Sequence, residues 1–308
     1  MYHQPVLLRE SVDGLVQNPA GTYLDLTFGG GGHSRAILAR LTTGKLLAFD
    51  QDEEAAANAE GLDLTLIQAN FRYAKKYLKL YGIRQVDGIL ADLGVSSHQF
   101  DIPDRGFSTR FEAALDMRMD LSAPRTAAQI LNEYPEADLH KLLGMYGEVR
   151  NARSLAQAIV AERVAAPIQT VEELKQVLRR FAPRGREAKY SAQVFQALRI
   201  EVNDEMGALR DMLTQAGELL IPGGRLVVIS YHSLEDRLVK NLMTKGNLRG
   251  EVEQDFYGNK LGTFTPITRK PITPTPEELA NNPRARSAKL RIAEKLTVHG
   301  RQSTDRSG

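Results

Sequence analysis

Short apolar runs alternate with polar, helix-compatible spans from Thr22 to Asp92. Residues 22–27 read as a strand running into a glycine turn, 34–41 as a helix stopped by Thr42-Thr43-Gly44, and 45–50 as a second strand. Residues 53–59 form a helical span, 64–67 a third strand, 73–81 a further helix and 86–92 a fourth strand. Short apolar strands separated by helices imply βαβ crossovers and a parallel sheet covered on both faces.

The rhythm breaks after Asp92. Residues 106–203 contain no convincing strand, only helical periods: Leu139, Leu142, Leu143 and Tyr146 share one face, and Val171, Leu174, Leu178 and Phe181 another. Thr170-Val171-Glu172-Glu173 reads as a capping box opening the second of these helices. A crossover needs little more than a dozen residues, so this span reads as an inserted all-helical domain. The sheet resumes after a helix lined by Met206, Leu209, Leu213, Ala216 and Leu220, which Pro222-Gly223-Gly224 ends. Residues 225–230 form the next strand, and the alternating residues 288–293 are expected to close the sheet as an edge strand. The expected domains are a discontinuous sheet domain (1–105 and 204–298), a helical insertion (106–203) and a polar tail (299–308).

Composition narrows the chemistry. At roughly 150 residues per domain, 308 residues allow two domains or one with an insertion. The absence of cysteine excludes disulfides, cysteine-ligated zinc, iron–sulfur clusters and a cysteine nucleophile. No metal-ligating residues are assigned, and a metal requirement is left open. A net charge of +2 announces no bulk field for nucleic acid. No run approaches the length of a membrane span, and the start of the chain lacks the basic and apolar regions of a secretion signal. A cytoplasmic protein without a membrane partner is the expectation.

The glycine turn Gly29-Gly30-Gly31-Gly32 follows the first strand and precedes the first helix, where nucleotide-binding sheets hold their ligand. Asp50 ends the second strand, where a carboxylate accepts hydrogen bonds from ribose hydroxyls, and Asp92 ends the fourth, facing the same crevice. Either carboxylate alone reads as readily as a helix cap; the combination with the turn is what points to a site. A dinucleotide fingerprint needs a third glycine where this chain has Ser34 or Arg35, and no phosphate loop is present. A ligand with a ribose and an amino-acid carboxylate but no phosphate fits better, which is S-adenosyl-L-methionine. Its carboxylate is placed at the N–H groups of Gly31, Gly32 and His33, with His33 equally readable as a polar helix start.

In-line methyl transfer asks the protein to align the acceptor and drain the proton's charge. Asp92 is the candidate for accepting a hydrogen bond from an exocyclic amine. Without cysteine, a covalent adduct for methylation at pyrimidine C5 is excluded. Two basic stretches suit phosphate contacts: residues 179–189, with five basic residues against one acidic, and 282–291, with four against none. Solvated helix ends and a lysine-protected edge strand explain them as simply.

The chain resembles the RsmH (MraW) family of 16S ribosomal RNA cytosine-N4-methyltransferases. The resemblance runs from His3-Gln4-Pro5-Val6-Leu7-Leu8 through Thr27-Phe28-Gly29-Gly30-Gly31-Gly32-His33-Ser34, Asp92-Leu93-Gly94-Val95-Ser96-Ser97, Arg105-Gly106-Phe107-Ser108, Asp116-Met117-Arg118-Met119-Asp120 and His232-Ser233-Leu234-Glu235-Asp236-Arg237 to Asn282-Pro283-Arg284-Ala285-Arg286-Ser287. It implies a class I (Rossmann-like) methyltransferase fold with a helical insertion serving RNA recognition. It implies methyl transfer from S-adenosyl-L-methionine to N4 of a cytidine in the decoding centre, 16S position 1402. The implied partner is 16S rRNA in the small ribosomal subunit.

Cofactor positions implied by the resemblance fall on Gly31, Gly32, His33, Asp50, Phe71, Asp92 and Gln99. Asp92-Leu93-Gly94-Val95 departs from the D/N-P-P-Y motif of many amino-methyltransferases, which leaves the catalytic role of Asp92 less defined than its cofactor role. Tyr231, His232 and Ser233 follow the fifth strand beside the expected acceptor pocket: Tyr231 is expected to stack on a flipped cytosine and His232 or Ser233 to hydrogen-bond it. A structural turn is the alternative for these three; Asp116, Arg118 and Asp120 read either as organising the entry to the insertion or, as simply, as an internal salt-bridge network. An NAD(P)-dependent oxidoreductase, a catalytically silent RNA-binding factor and a small-molecule methyltransferase are the competing classes. The sequence leaves open a homodimer, and whether free rRNA or the assembled subunit is the substrate.

Overall fold

The computed structural model describes residues 5–94, 105–254 and 262–297. The chain divides into two compact units, one of Met1–Asp50, Ala55–Gly94 and Arg210–Gly308, the other of Gln51–Glu54 and Val95–Leu209.

In the first unit, helix α1 (Leu8–Leu15) precedes β1 (Thr22–Asp25), α2 (Gly32–Leu38), β2 (Lys45–Asp50), β3 (Thr65–Gln68), α3 (Ala74–Leu80) and β4 (Val86–Asp92). Five parallel strands, a late antiparallel strand and a short edge strand complete one sheet in the order β3-β2-β1-β4-β5-β7-β6, with β5 (Leu220–Ser230), β6 (Phe264–Pro266) and β7 (Lys289–Lys295). This is the class I, Rossmann-like arrangement expected from the sequence. In β4, Val86, Gly88, Ile89, Leu90 and Ala91 are all buried, the continuous burial of a strand covered on both faces. Tyr23, Ile37, Leu46, Leu90, Val227, Leu290 and Ile292 pack one contiguous core with Leu15 of α1.

Two expectations change and one is refined: residues 53–59 form their helix with 3-10 geometry. Strand β5 begins at Leu220 and takes in Pro222-Gly223-Gly224, where its register against β4 slips between Val86 and Gly88. Proline removes a ladder donor and Gly223 sits at φ +79°, the ingredients of an irregular strand rather than a stop. Strand β7 is not an edge: it lies between β5 and β6, and the three-residue β6, too short to show alternation, takes the edge.

The second unit holds α4 (Ala127–Glu133), α5 (Glu136–Gly147), α6 (Ala152–Ala165), α7 (Val171–Arg179) and α8 (Glu187–Val202). Leu139, Leu142 and Leu143 of α5 and Val171, Leu174 and Leu178 of α7 are buried on their shared faces. Thr170 and Glu173 form the reciprocal capping box. Among the described residues, the strand-like pairing of this unit is limited to an isolated bridge between Ala114 and Thr170.

Arg105 is buried in the second unit. It donates to Asp52 Oδ2 (2.8 Å) and to the carbonyls of Arg118 (2.7 Å) and Met119 (2.9 Å). Arg118 grips Asp116 with two guanidinium nitrogens, at 2.8 Å each, and the carbonyls of Leu121 and Ala123, while Asp120 accepts from Ser122. The Asp116-Arg118 part of that cluster is therefore an internal ion pair. Helix α9 (Glu205–Leu219) leads back to the sheet, followed by α10 (Ser233–Lys245) and α11 (Pro276–Asn281). Among the described residues, no helix is long and apolar enough to cross a membrane.

Candidate active site

Strands β1, β2 and β4 end in Asp25, Asp50 and Asp92. Strand β1 has β2 on one side and β4 on the other, so strand order reverses there. Open α/β sheets hold ligands outside the carboxyl edge at such a reversal.

The glycine turn is pinned from both sides. The Gly29 N–H donates to Asp50 Oδ2 at 2.7 Å, and the Asp92 N–H donates to the Thr27 hydroxyl at 2.7 Å. Gly31, at φ +72°, precedes α2, and its N–H is taken up inside the turn by the Phe28 carbonyl at 2.8 Å. The first-turn N–H groups of Gly32 and His33 have no acceptor among the described residues, the usual state of a helix start. A Cβ at position 32 would lie 2.1 Å from Pro5 Cγ, so the turn needs glycine there for packing against the chain's own start. Gly31, Gly32, His33, Asp50 and Asp92 are thus brought together, with Gly31 contributing conformation rather than a free donor.

Asp25 has a different place. It is fully buried, accepts from the Ser34 hydroxyl at 2.6 Å and from Thr27 N at 3.2 Å, and burial pushes its carboxyl pKa up. It fastens the first turn of α2 to the end of β1. His33 is also buried. Its Nε2 donates to the Val6 carbonyl at 3.1 Å; because a carbonyl only accepts, Nε2 carries the proton and Nδ1 faces Asp92 Oδ2 at 3.8 Å.

The Tyr231 hydroxyl donates to Asp92 Oδ1 at 2.8 Å. Burial, then the charge of Asp92, holds the phenol well above its usual pKa of 10, so it serves as a neutral donor. Burial raises Asp92 to about 6, outweighing the lowering by His33 and by the Tyr231 hydrogen bond, while Asp25 and Glu235 push the same way as burial. A carboxylate that titrates near neutrality beside a substrate crevice is suited to exchange a proton.

His232 is the N-cap of α10: its Nδ1 accepts from Glu235 N at 3.4 Å, while Glu235 Oε2 accepts from Tyr231 N at 2.8 Å and from His232 N at 3.3 Å. Its Nε2 stands 3.1 Å from Glu235 Oε1. The imidazole therefore faces inward onto its own helix, and Ser233, the first helical residue, is exposed. Phe71 is half-buried at the start of a 3-10 turn (Phe71–Tyr73) that Asn70 caps, and Gln99 lies outside the described residues. Sequence reasoning overlooked two supports, the Thr27 hydroxyl under Asp92 and the Glu235 carboxylate under Tyr231. The S/T-x-x-E/Q form of a capping box would have flagged Glu235 had position 232 been serine or threonine.

The basic stretches sort into paired and unpaired charges. Arg179 and Arg180 pair with Glu172 (2.8 Å) and Glu162 (2.5 Å), whereas the exposed Arg184, Arg186 and Lys189 make no ion pair among the described residues. Lys289 and the buried Arg291 both pair with Asp236.

A ribosomal RNA small subunit methyltransferase H of Cytophaga hutchinsonii is 60% identical over 298 residues, covering 96% of this chain and 100% of that protein. One of the same name from Flavobacterium johnsoniae is 56% identical over 297 residues, covering 96% and 98%. A crystal structure of a putative rRNA methylase from Clostridium thermocellum overlays with a TM-score of 0.43 at 15% identity, covering 96% of this chain and 99% of that one. The pattern of the MraW methylase family matches residues 1–296, and the chain belongs to that family.

Proposed function

We propose that this protein transfers a methyl group from S-adenosyl-L-methionine to N4 of a cytidine in the 16S rRNA of the small ribosomal subunit, in its decoding centre. One observation carries the reading: Gly29 of the glycine turn donates to Asp50, and Thr27, just before the turn, accepts from the Asp92 N–H, so the turn's donors and the two carboxylates stand together at the carboxyl edge of the sheet. The relatives above bear the name of small-subunit rRNA methyltransferases, which supports the substrate class.

The donor set fits that cofactor. Gly32 and His33 offer unsatisfied N–H groups to a carboxylate, and Asp50, which accepts from Gly29 N through Oδ2, is the candidate partner of the ribose hydroxyls. Phe71, beyond β3, is the candidate for the adenine face. When bound, the cofactor supplies an electrophilic methyl on a sulfonium.

The chain's own part is to hold the amine and take its proton. Asp92, fixed by Tyr231 and by Thr27 under its backbone, accepts a hydrogen bond from the exocyclic N4–H2. As the new N–C bond forms and the S–C bond breaks, the nitrogen sheds one proton toward the carboxylate, leaving a neutral N-methyl amine and a neutral thioether. The helical unit, with Arg184, Arg186 and Lys189 unpaired, is the candidate for gripping RNA.

Radiolabelled methyl transfer to small subunits from a strain lacking the modification, followed by nucleoside mass spectrometry, tests the reading. N4-methylcytidine is the expected product. Label at cytosine C5, or none with the cofactor bound, overturns it.

A further inference from the structure

A cavity of about 300 Å³ opens where the chain enters β7, beside Tyr231. Tyr231, His232 and Ser233 at the head of α10 form one wall. Thr273, Arg286, Ser287 and Lys289 supply the other polar groups. Its described lining contains hydroxyls, a phenol, an imidazole and two cations, and no carboxylate.

The two cations differ in state. Lys289 is held by Asp236 at 3.3 Å, and that carboxylate is gripped more closely by Arg291 at 2.7 Å, so its charge is already answered. The two guanidinium and ammonium neighbours keep the Asp236 carboxyl below its ordinary pKa despite partial burial. Arg286 is exposed and makes no ion pair among the described residues. A donor-rich cavity with one unanswered guanidinium matches an oxygen-bearing anion that accepts only. A neutral base or a cation would leave Arg286 without a partner.

We propose that this cavity seats a phosphodiester group of the RNA strand beside the nucleotide to be methylated, with Arg286 as its principal cation. The proposal rests on the methyl-transfer reading above. A base that reacts outside its stack swings about its own backbone, so a fixed phosphate decides where its amine arrives. The cavity and Asp92 share a wall, because the tyrosine that lines the one bonds the other. Arg286 is on this account a positioning residue.

The test measures binding of the full-length protein to small ribosomal subunits lacking the modification, across a series of KCl concentrations, for wild type, Arg286→Gln, Arg286→Lys and the charge-matched Arg84→Gln at an exposed site. Each phosphate contact contributes about 0.7 to the slope of log affinity against log salt for a single strand. Arg286→Gln is expected to weaken binding about tenfold at low salt and to lower that slope by roughly 0.7, with Arg286→Lys restoring the slope and Arg84→Gln retaining it. Affinity for S-adenosyl-L-methionine, read by calorimetry, should be unchanged in all four, which separates a lost phosphate contact from a damaged fold. An unaltered slope in Arg286→Gln, or an equal fall in Arg84→Gln, overturns the proposal. Methyl incorporation by wild type reports separately on the parent reading, so either can fail alone.

Discussion

The phenol of Tyr231, just past the end of β5, donates a 2.8 Å hydrogen bond to Asp92 at the end of β4. Neighbouring parallel strands carry the two, paired in register from Gly88 with Arg225 to Asp92 with Ile229. The pairing sets the protonation behaviour of the site, because the hydrogen bond favours the ionised carboxylate while burial opposes it.

Methyl transfer should therefore show an acid limb. Asp92 must be ionised to take the amine proton, so kcat/KM rises through an apparent pKa of about 6 and is level above it. Tyr231→Phe removes a hydrogen bond that stabilises the charged form, which moves the limb to higher pH and lowers the plateau by about tenfold. A pH–rate profile of the two proteins checks this; a limb in the same place in both would contradict the pairing.

Asp92 also sets a stability cost. Its folded pKa lies above its ordinary value of 3.8, so the folded state holds the proton more tightly. That contribution is most favourable below about pH 4 and is lost as pH rises through about 6, on the order of 2–3 kcal/mol in full. Asp92→Asn, which keeps an acceptor for Tyr231, is expected to raise the melting temperature relative to wild type at pH 8 and to match it near pH 4, while losing roughly a hundredfold or more in activity. Thermal melts at the two pH values decide it.

Asp50→Asn should weaken cofactor binding. The carboxylate accepts from Gly29 N and is the candidate partner of the ribose hydroxyls, and hydrogen bonds to a charged group contribute about 1.5–3 kcal/mol each. A tenfold or greater rise in the Kd for S-adenosyl-L-methionine by calorimetry is expected. An unchanged Kd would place the ribose elsewhere.

Glycine substitutions separate packing from flexibility. Gly32→Ala drives a methyl onto the rigid Pro5 ring and should destabilise by about 1–3 kcal/mol. Gly144→Ala, inside α5 and 3.9 Å from the Ala152 methyl, meets ordinary van der Waals contact and should stabilise by about 0.5–1 kcal/mol. Denaturant unfolding of both variants measures the difference.

The strand ends were legible because a parallel strand is a dense apolar run and its terminal aspartate breaks it visibly, as in residues 86–92. The helical faces of α5 and α7 showed through their 3.6-residue period. Other features left no local trace. The three-residue β6 has no period to read, and the inward place of β7 depends on that partner. The Ser34–Asp25 and His33–Val6 bonds join residues whose spacing belongs to no motif. From its place after the fifth strand His232 is expected at the acceptor; its ring is turned onto Glu235 as the cap of α10, which a capping-box pattern written for serine or threonine does not reveal.

Strand β7 joins β5 along Arg225–Ser230, yet lies some sixty positions later in the chain and carries one wall of the cavity at its entry. During synthesis, the outer rim of β5 is left bare until residues 289–295 have emerged, an adhesive edge for a growing polypeptide. The pocket and this side of the sheet are thus completed by one late-arriving strand, so the ribosome must pass residue 295 before the protein can offer a whole wall to any guest.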